Sequence, residues 1–504
     1  MARISHWIGG RIASSGPSGP GGLGGSTRRG PVWNPATGEQ QSEVDLATPE
    51  EVDIATAVAK EAFPAWRATP LGRRAEVLFH FRELVDANRK ELASILTAEH
   101  GKVTTDALGE VARALENIEF ACGIPQLLKG EFSEQASTGV DVYSIRQPLG
   151  VVAGITPFNF PVMVPVWMFA NALACGNAFV LKPSEKDPSA SLLLAELLKA
   201  AGLPDGLFNV VQGDRVAVDR ILEHPDINAI SFVGSTPVAR HVYETATKHG
   251  KRVQALGGAK NHMVVLPDAD IEGAADAAVS AGYGSSGERC MAVSVLVAVG
   301  HAGDSLVAAI KARLPKVRVG PGHDADSEMG PLISPEHRDR VASYIDRGRH
   351  DGATVVVDGR EAPLPKEGFF LGASLLDHVT PDMDVYRDEV FGPVLGVIRV
   401  DSYEAAVKLV NANPYGNGAA IFTRDGGAAR RFQFDCQAGM VGINVPIPVP
   451  VGYYSFGGWK ASLFGDTTMY GPEGVRFYTR TKVVTARWPD PATSEVDLGF
   501  PRTN

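Results

Sequence analysis

The sequence predicts an α/β protein built on parallel sheets, and three patterns carry that prediction. From Leu149 onward, short apolar runs alternate with stretches of helical periodicity. The runs Val151–Ile155, Ala178–Lys182, 208–211 and 229–232 are apolar almost throughout, as strands covered on both faces are. Helical stretches at 189–201 and 216–223 lie between them, so the strands are joined by crossovers and run parallel. A second α/β section of the same kind runs from about 262 to 439.

The elements follow in chain order. Residues 13–30, ASSGPSGPGGLGGSTRRG, are too rich in Gly, Pro and Ser to offset the entropy of ordering, and read as a mobile insert. Helical periodicity begins after Thr48, where Thr48-Pro49-Glu50-Glu51 offers a cap, a proline and an acidic first turn. Two long amphipathic helices are expected at about 75–88 and 105–121. Over 131–147 the pattern changes, and Val140-Asp141-Val142-Tyr143-Ser144-Ile145-Arg146 alternates as a half-buried strand in a hairpin would. The stretch 476–486 returns to strand alternation, and no internal repeat is present.

Composition narrows the function class. At 504 residues a large core is available, and roughly two to four domains are expected. A net charge of −10 and a pI near 5.7 argue against a nucleic-acid binder, which needs a basic face. The longest apolar candidate, 160–174, is broken by Pro161 and Pro165 and falls short of a membrane span. The first residues lack a signal-peptide core, so a cytoplasmic protein with reduced thiols is expected.

One stretch stands out chemically. AGYGSSGERCM, residues 281–291, sets Cys290 after small residues and the charged pair Glu288-Arg289. Small residues let the backbone turn tightly and leave a thiol open to a substrate, the alternative being a buried structural cysteine. Four cysteines without C-x-x-C spacing make neither a disulfide framework nor a redox pair. Cys122, Cys175 and Cys436 lie in apolar settings and read as packing. The histidines form no H-x-x-x-H or comparable pair, so no metal is expected. Parallel sheets bind nucleotides beyond the carboxyl ends of their strands. There the sequence places Lys182-Pro183-Ser184-Glu185 and Phe232-Val233-Gly234-Ser235-Thr236. Glu185 can accept both ribose hydroxyls of NAD and repel the extra phosphate of NADP. Gly234-Ser235 at a helix start can turn backbone N–H groups on a pyrophosphate. Each loop by itself also fits an ordinary strand-to-helix turn.

Taken together, these residues resemble a known family. Asn159 in ITPFNFP, the KPSE loop, FVGST, the cysteine segment and Glu389-Val390-Phe391-Gly392-Pro393 resemble the NAD(P)-dependent aldehyde dehydrogenases, over about 33–482. Asn159 stands 131 residues before Cys290 and Glu389 99 after it, close to that family's arrangement. GERCM, AKNH at 259–262, GINVPIPVP, SFGGWKASLFGD and MYGPEGVRFYTRTK resemble its CoA-acylating, methylmalonate-semialdehyde branch. The resemblance implies an aldehyde dehydrogenase-like fold in three parts. These are a Rossmann-type coenzyme domain (1–130 and 149–257), an α/β catalytic domain (258–458) and a small β oligomerisation arm (131–148 and 476–490). A homo-oligomer, dimer or tetramer, follows.

The resemblance also implies roles. Cys290 would attack an aldehyde, while the Asn159 amide and the Cys290 backbone N–H donate to the oxyanion. NAD would be the cofactor, held by Thr156, Phe158, Lys182, Ser184, Glu185, Gly234, Ser235, Glu389 and Phe391. Within that set Glu389 takes the nicotinamide ribose, and Lys182 with Glu185 the adenosine ribose. Coenzyme A would be the co-substrate. Hydrolytic relatives carry a glutamate 34 residues before the cysteine, where this chain has Leu256, which cannot take a proton. The acylating branch commonly has asparagine there, so Leu256 departs from both patterns. Arg113 and Arg289 match positions that hold a substrate carboxylate. Arg113 could instead pair with Glu110 or Glu116 on its own helix, and Arg289 could lower the Cys290 pKa. Phe456 and Trp459 are candidates for the acyl pocket or for core packing. The expected activity is oxidation of methylmalonate or malonate semialdehyde to propionyl-CoA or acetyl-CoA. A hydrolytic aldehyde dehydrogenase and a catalytically silent protein of the same fold are the alternatives.

Overall fold

Residues 2–14, 27–488 and 492 are described by a computed structural model. Two large sheets organise them. The first has eight strands, in the order Leu463–Phe464, Arg252–Leu256, Ile227–Val233, Val151–Ile155, Ala178–Lys182, Phe208–Val210, His6–Ile8 and Arg11–Ala13. Its five central strands are parallel, and the strands at both edges run antiparallel. Val151–Ile155 comes first in the chain of those five, and the later ones are laid down on either side of it. The topology therefore reverses between Val151–Ile155 and Ile227–Val233, where sheets of this kind open a crevice for a nucleotide.

The second sheet has seven strands: Thr354–Val357, Ser374–Asp377, Val394–Val400, Val293–Val299, Asn261–Val265, Gly418–Phe422 and Met440–Ile443. All its pairings are parallel except that of Thr354–Val357. The runs Val151–Ile155, Ala178–Lys182 and Asn261–Val265 are buried at every position, which is why they lack polar alternation. A third, antiparallel sheet joins Phe132–Ser137, Val140–Pro148 and Thr479–Arg487; its central strand is half-buried along nearly its whole length, so the alternation in sequence does not become one buried and one wet face. A small sheet of Ala2–Ile4, Glu39–Asp45 and Arg29–Asn34 completes the edge near the N-terminal strands.

Local signals explain where helices begin. The Thr48 hydroxyl accepts the Glu51 N–H at 3.3 Å, and the Glu51 carboxylate accepts the Thr48 N–H at 2.8 Å, so Pro49–Ala68 opens on a reciprocal capping box. The expected helices at 75–88 and 105–121 are Leu71–Ala87 and Thr104–Cys122. The apolar stretch at 160–174 yields the helix Met163–Ala174, buried at every residue and packed against Thr104–Cys122. Among the described residues no helix is long and apolar enough to cross a membrane.

Two boundaries differ from expectation. The Gly-rich insert is narrower than 13–30: Ala13 closes a strand with its side chain buried, and Arg29 and Gly30 already pair with Asp45 and Val44. Residues 15–26 of that insert lie outside the described residues. Strand alternation at 476–478 is overruled by a short helix, Gly471–Phe477, with Pro472 in its first turn. It packs on Met163–Ala174 and buries Val475 and Phe477, and the strand begins at Thr479. Tertiary burial decides between two periods that three residues cannot distinguish.

Candidate active site

Cys290 sits between helix Ile271–Tyr283 and strand Val293–Val299, where the two large sheets face one another. Ser285, Ser286 and Gly287 have φ of 52°, 54° and 73°, three successive left-handed residues. At Gly287 a Cβ would lie 2.4 Å from the Gly392 carbonyl oxygen, so both its φ and its space call for glycine. The carbonyl of Cys290 is fixed by the side-chain amides of Asn261 at 2.9 Å and Asn417 at 3.2 Å. Asn261 lies in the AKNH segment and Asn417 in none of the motifs, and each reaches Cys290 from a neighbouring strand or its flank.

The thiol stands where two cavities meet. One, of about 410 Å³, is lined by Phe158, Asn159, Gly234, Gly258, Glu389 and Phe391 as well as Cys290. The other, of about 530 Å³, adds Arg113, Phe160, Trp167, Arg289 and Phe456. Phe456 therefore joins a cavity wall, and Trp167, unmarked in sequence, stacks against it with ring centroids 5.1 Å apart. Trp459 does not join them: it is 55% exposed and belongs to a two-stranded ribbon with Tyr415–Gly416. Asn159 points its amide toward the cysteine loop, donating to the Glu288 carbonyl at 3.0 Å.

Burial pushes the Cys290 thiol up to about 12, with the Glu389 charge adding to the effect. Backbone N–H groups of Cys290 and Met291 oppose it, and the Arg289 charge contributes least. Glu389 is itself pushed up to about 7 by burial, against the Ala259 N–H that it accepts at 2.9 Å. Gly258 makes room for that carboxylate, since a Cβ there would lie 2.3 Å from Glu389 Oε2.

On the far side of Phe158 a groove of about 690 Å³ crosses the strand ends at the topological reversal. It collects Thr156, Phe158, Lys182, Ser184, Glu185, Gly234 and Ser235. Lys182 and Glu185 form an ion pair at 2.9 Å. Burial opposes the Glu185 charge, yet Lys182 outweighs it and holds the carboxyl below its ordinary range. Ser235 caps the helix Thr236–Lys248 without using its side chain, leaving first-turn N–H groups facing the groove. The Thr156 hydroxyl is buried without a partner. Phe158 lines both the groove and the Cys290 cavity, and Phe391, at φ 57°, meets its ring edge-on at 5.8 Å from the cavity side. An anionic dinucleotide fits this donor set, with a carboxylate at the ribose end and free amides midway.

The two arginines share the second cavity but are both engaged. Arg113 pairs with Glu116 at 2.8 Å and donates to the Val449 and Pro450 carbonyls at 3.3 and 2.7 Å. Of its two candidate partners Glu116 is the one used, because Glu110 is held by Lys102. Arg289 pairs with Asp106 at the wall toward a neighbouring 420 Å³ cleft. Leu256 ends the strand Arg252–Leu256, buried between Val233 and Leu463 in neighbouring strands, so no carboxylate approaches Cys290 from that position. His337 and Arg340 also line the 410 Å³ cavity; helical periodicity alone gives no reason to pick them out.

Comparison with known proteins places this geometry. The aldehyde dehydrogenase family profile matches residues 24–484. A malonate-semialdehyde dehydrogenase of Pseudomonas aeruginosa is 51% identical over 99% of this chain and 100% of its own length. The mitochondrial methylmalonate-semialdehyde dehydrogenase [acylating] of Arabidopsis thaliana is 48% identical over 93% of this chain and 77% of its own. A Sinorhizobium meliloti protein assigned to the methylmalonate-semialdehyde dehydrogenases, solved with NAD, superposes with a TM-score of 0.95 at 52% identity. That alignment covers 98% of this chain and 99% of the other.

Proposed function

The chain belongs to the aldehyde dehydrogenase family, and from that premise we propose that it oxidises malonate or methylmalonate semialdehyde with NAD and coenzyme A. The products are acetyl-CoA or propionyl-CoA, with the carboxyl group lost as CO2 or bicarbonate. One observation carries the reading: Cys290 stands between a cavity that shares Phe158, Gly234 and Ser235 with the nucleotide groove and a cavity that bears Arg113 and Arg289.

The chemistry follows from that placement. The Cys290 thiol gives up its proton to solvent and its sulfur bonds to the aldehyde carbon, so that the carbonyl oxygen gains the charge that Asn159 Nδ2 and the Cys290 N–H stabilise by hydrogen bonding. NAD held in the groove would supply the two-electron acceptor needed to take the carbon bonded to Cys290 to the thioester level. Glu185 and Lys182 orient the adenosine end, Gly234 and Ser235 the phosphates, and Thr156, Phe158, Ser184, Phe391 and Glu389 the remainder. Arg289 and Arg113 receive the substrate carboxylate, exchanging their internal carboxylates for it. In the thioester the bond between the α-carbon and the carboxylate breaks, CO2 leaves and a proton from solvent takes its place. The acyl group then passes to the coenzyme A thiol, whose proton goes to the Cys290 sulfur as it is released. Leu256 leaves the deacylation site without the water-activating base of hydrolytic relatives, whereas a thiolate nucleophile needs little such help.

Around this core, the described residues of 1–130 and 149–257 serve as the coenzyme domain, 258–458 as the catalytic domain, and 131–148 with 479–488 as an arm between subunits. Of the expected 476–490, residues 476–477 belong to the helix on Met163–Ala174 and 489–490 lie outside the described residues. Phe132, Val483 and Trp488, all more than 60% exposed, give that arm an apolar surface suited to a second copy of the chain. A homo-oligomer, dimer or tetramer, is the assembly this surface supports.

The test is NADH formation from methylmalonate semialdehyde with and without coenzyme A. A stoichiometric burst without coenzyme A and steady turnover with it are expected. Steady turnover without coenzyme A would overturn the acylating reading, and no burst at all would overturn the enzyme reading. A burst that vanishes in Cys290→Ala, with NAD binding intact, assigns the nucleophile.

A further inference from the structure

Behind the loop that carries Asn159 lies an ion pair that the reaction as described leaves unused. Lys102 and Glu110 have side chains 1% and 0% exposed, with Lys102 Nζ 2.7 Å from Glu110 Oε2. The same ammonium donates to the Asn159 backbone carbonyl at 2.6 Å and sits 4.5 Å above the centre of the Phe160 ring. The other carboxylate oxygen, Glu110 Oε1, accepts the backbone N–H groups of Val162 at 2.8 Å and Met163 at 3.0 Å. One pair thus grips the segment at the asparagine itself and again where it enters the helix Met163–Ala174. A third tie, the Asn159 amide on the Glu288 carbonyl, joins the segment to the cysteine loop.

Desolvating two charges is costly, and a buried pair is weak evidence for stability alone. This one spends its hydrogen bonds on backbone atoms around one side chain, Asn159. A donor aimed at a developing oxyanion works only when it is held where the charge will appear, and small displacements are expensive. We propose that Lys102 and Glu110 are positioning residues that hold the Asn159 amide in place for the oxyanion formed at Cys290. The inference rests on Asn159 being that donor.

The experiment is a double-mutant cycle on the full-length protein. Lys102→Met with Glu110→Gln removes both charges together and leaves neither buried alone. It is compared with Asn159→Ala and with all three changes combined. Three readouts are taken: the NADH burst rate with semialdehyde and no coenzyme A, the NAD dissociation constant, and the rate at which iodoacetamide alkylates Cys290. Alkylation needs the sulfur but develops no oxyanion, so it separates thiol placement from donor placement. In the pair variant the burst rate should fall on the order of 10²-fold, with NAD affinity and alkylation unchanged. In the Asn159→Ala background the same pair substitution should change the burst rate by less than about twofold.

Equal losses in both backgrounds, or alkylation falling in step with the burst, would mean a general structural role and overturn the proposal. So would a normal burst in the pair variant beside an impaired Asn159→Ala. If Asn159→Ala itself has a normal burst, the donor assignment fails first and the proposal with it. Should the pair variant not fold, Lys102→Gln with Glu110→Gln enters the same cycle, since it too leaves no charge buried alone and keeps a neutral donor and an acceptor in the site.

Discussion

The protonation of Cys290 gives the sharpest quantitative expectation. Without ligands its thiol is pushed from 9.0 up to about 12, first by burial and then by the Glu389 carboxylate. Three pH units correspond to a thiolate population about a thousandfold below that of an unperturbed cysteine at neutral pH. Iodoacetamide reacts with the thiolate. The rate for the ligand-free protein, followed at the Cys290 peptide by mass spectrometry, should therefore climb about tenfold per pH unit. No plateau should appear between pH 7 and 10. Glu389→Gln tests the second cause. Above pH 7 the native carboxylate is largely charged, since its own value lies near 7, and that charge disfavours a neighbouring thiolate. The neutral amide should lower the thiol pKa and accelerate alkylation at pH 8, leaving burial as the larger remaining barrier. A plateau near pH 9 in the wild-type protein would refute the claim that the site suppresses the thiolate. Slower alkylation in Glu389→Gln would refute the sign assigned to Glu389.

Other perturbations follow from the same geometry. Glu288 is fully buried and pushed from 4.5 up to about 8, chiefly by burial. The folded state then holds a proton that the unfolded state releases, so this group's contribution to stability falls as pH rises from about 4.5 to 8. Glu288→Gln should remove up to roughly 4 kcal/mol of that loss, raising Tm at pH 8 but hardly at pH 4.5; an equal shift at both would contradict it. Replacing Arg289 by Met should lower kcat/KM for the acid semialdehyde roughly 10–100-fold and leave propanal nearly untouched, and equal losses on both aldehydes would reject the clamp. Glu185→Ala should weaken NAD about tenfold and narrow the preference over NADP, measured by cofactor titration. Thr48→Ala should cost about 1 kcal/mol in denaturant unfolding without changing turnover.

Much of the fold was legible because burial on both faces leaves a plain mark. Val151–Ile155 and Ala178–Lys182 are apolar runs in sequence and fully buried parallel strands in the structure. The capping box at Thr48 was legible because it is local: two side chains three residues apart bind each other's backbone. The site was legible only as a set of motifs in a fixed order. Its second ring of residues was not: Lys102, Trp167 and Asn417 sit in ordinary helical or loop contexts. They matter through contacts that cross long stretches of chain, such as Lys102 to Asn159 and Asn417 to Cys290.

By itself, then, the sequence determined the parallel α/β architecture, the cysteine in its glycine- and serine-rich turn and the acidic residue that follows a buried strand in the KPSE loop. Each of those follows from residue type and near neighbours. The tertiary structure decided which carboxylate each arginine takes, that Glu389 crowds the thiol, and that a buried lysine grips the Asn159 carbonyl. Those outcomes depend on distance and dielectric between segments far apart in the chain, and no pattern of neighbouring residues encodes either quantity.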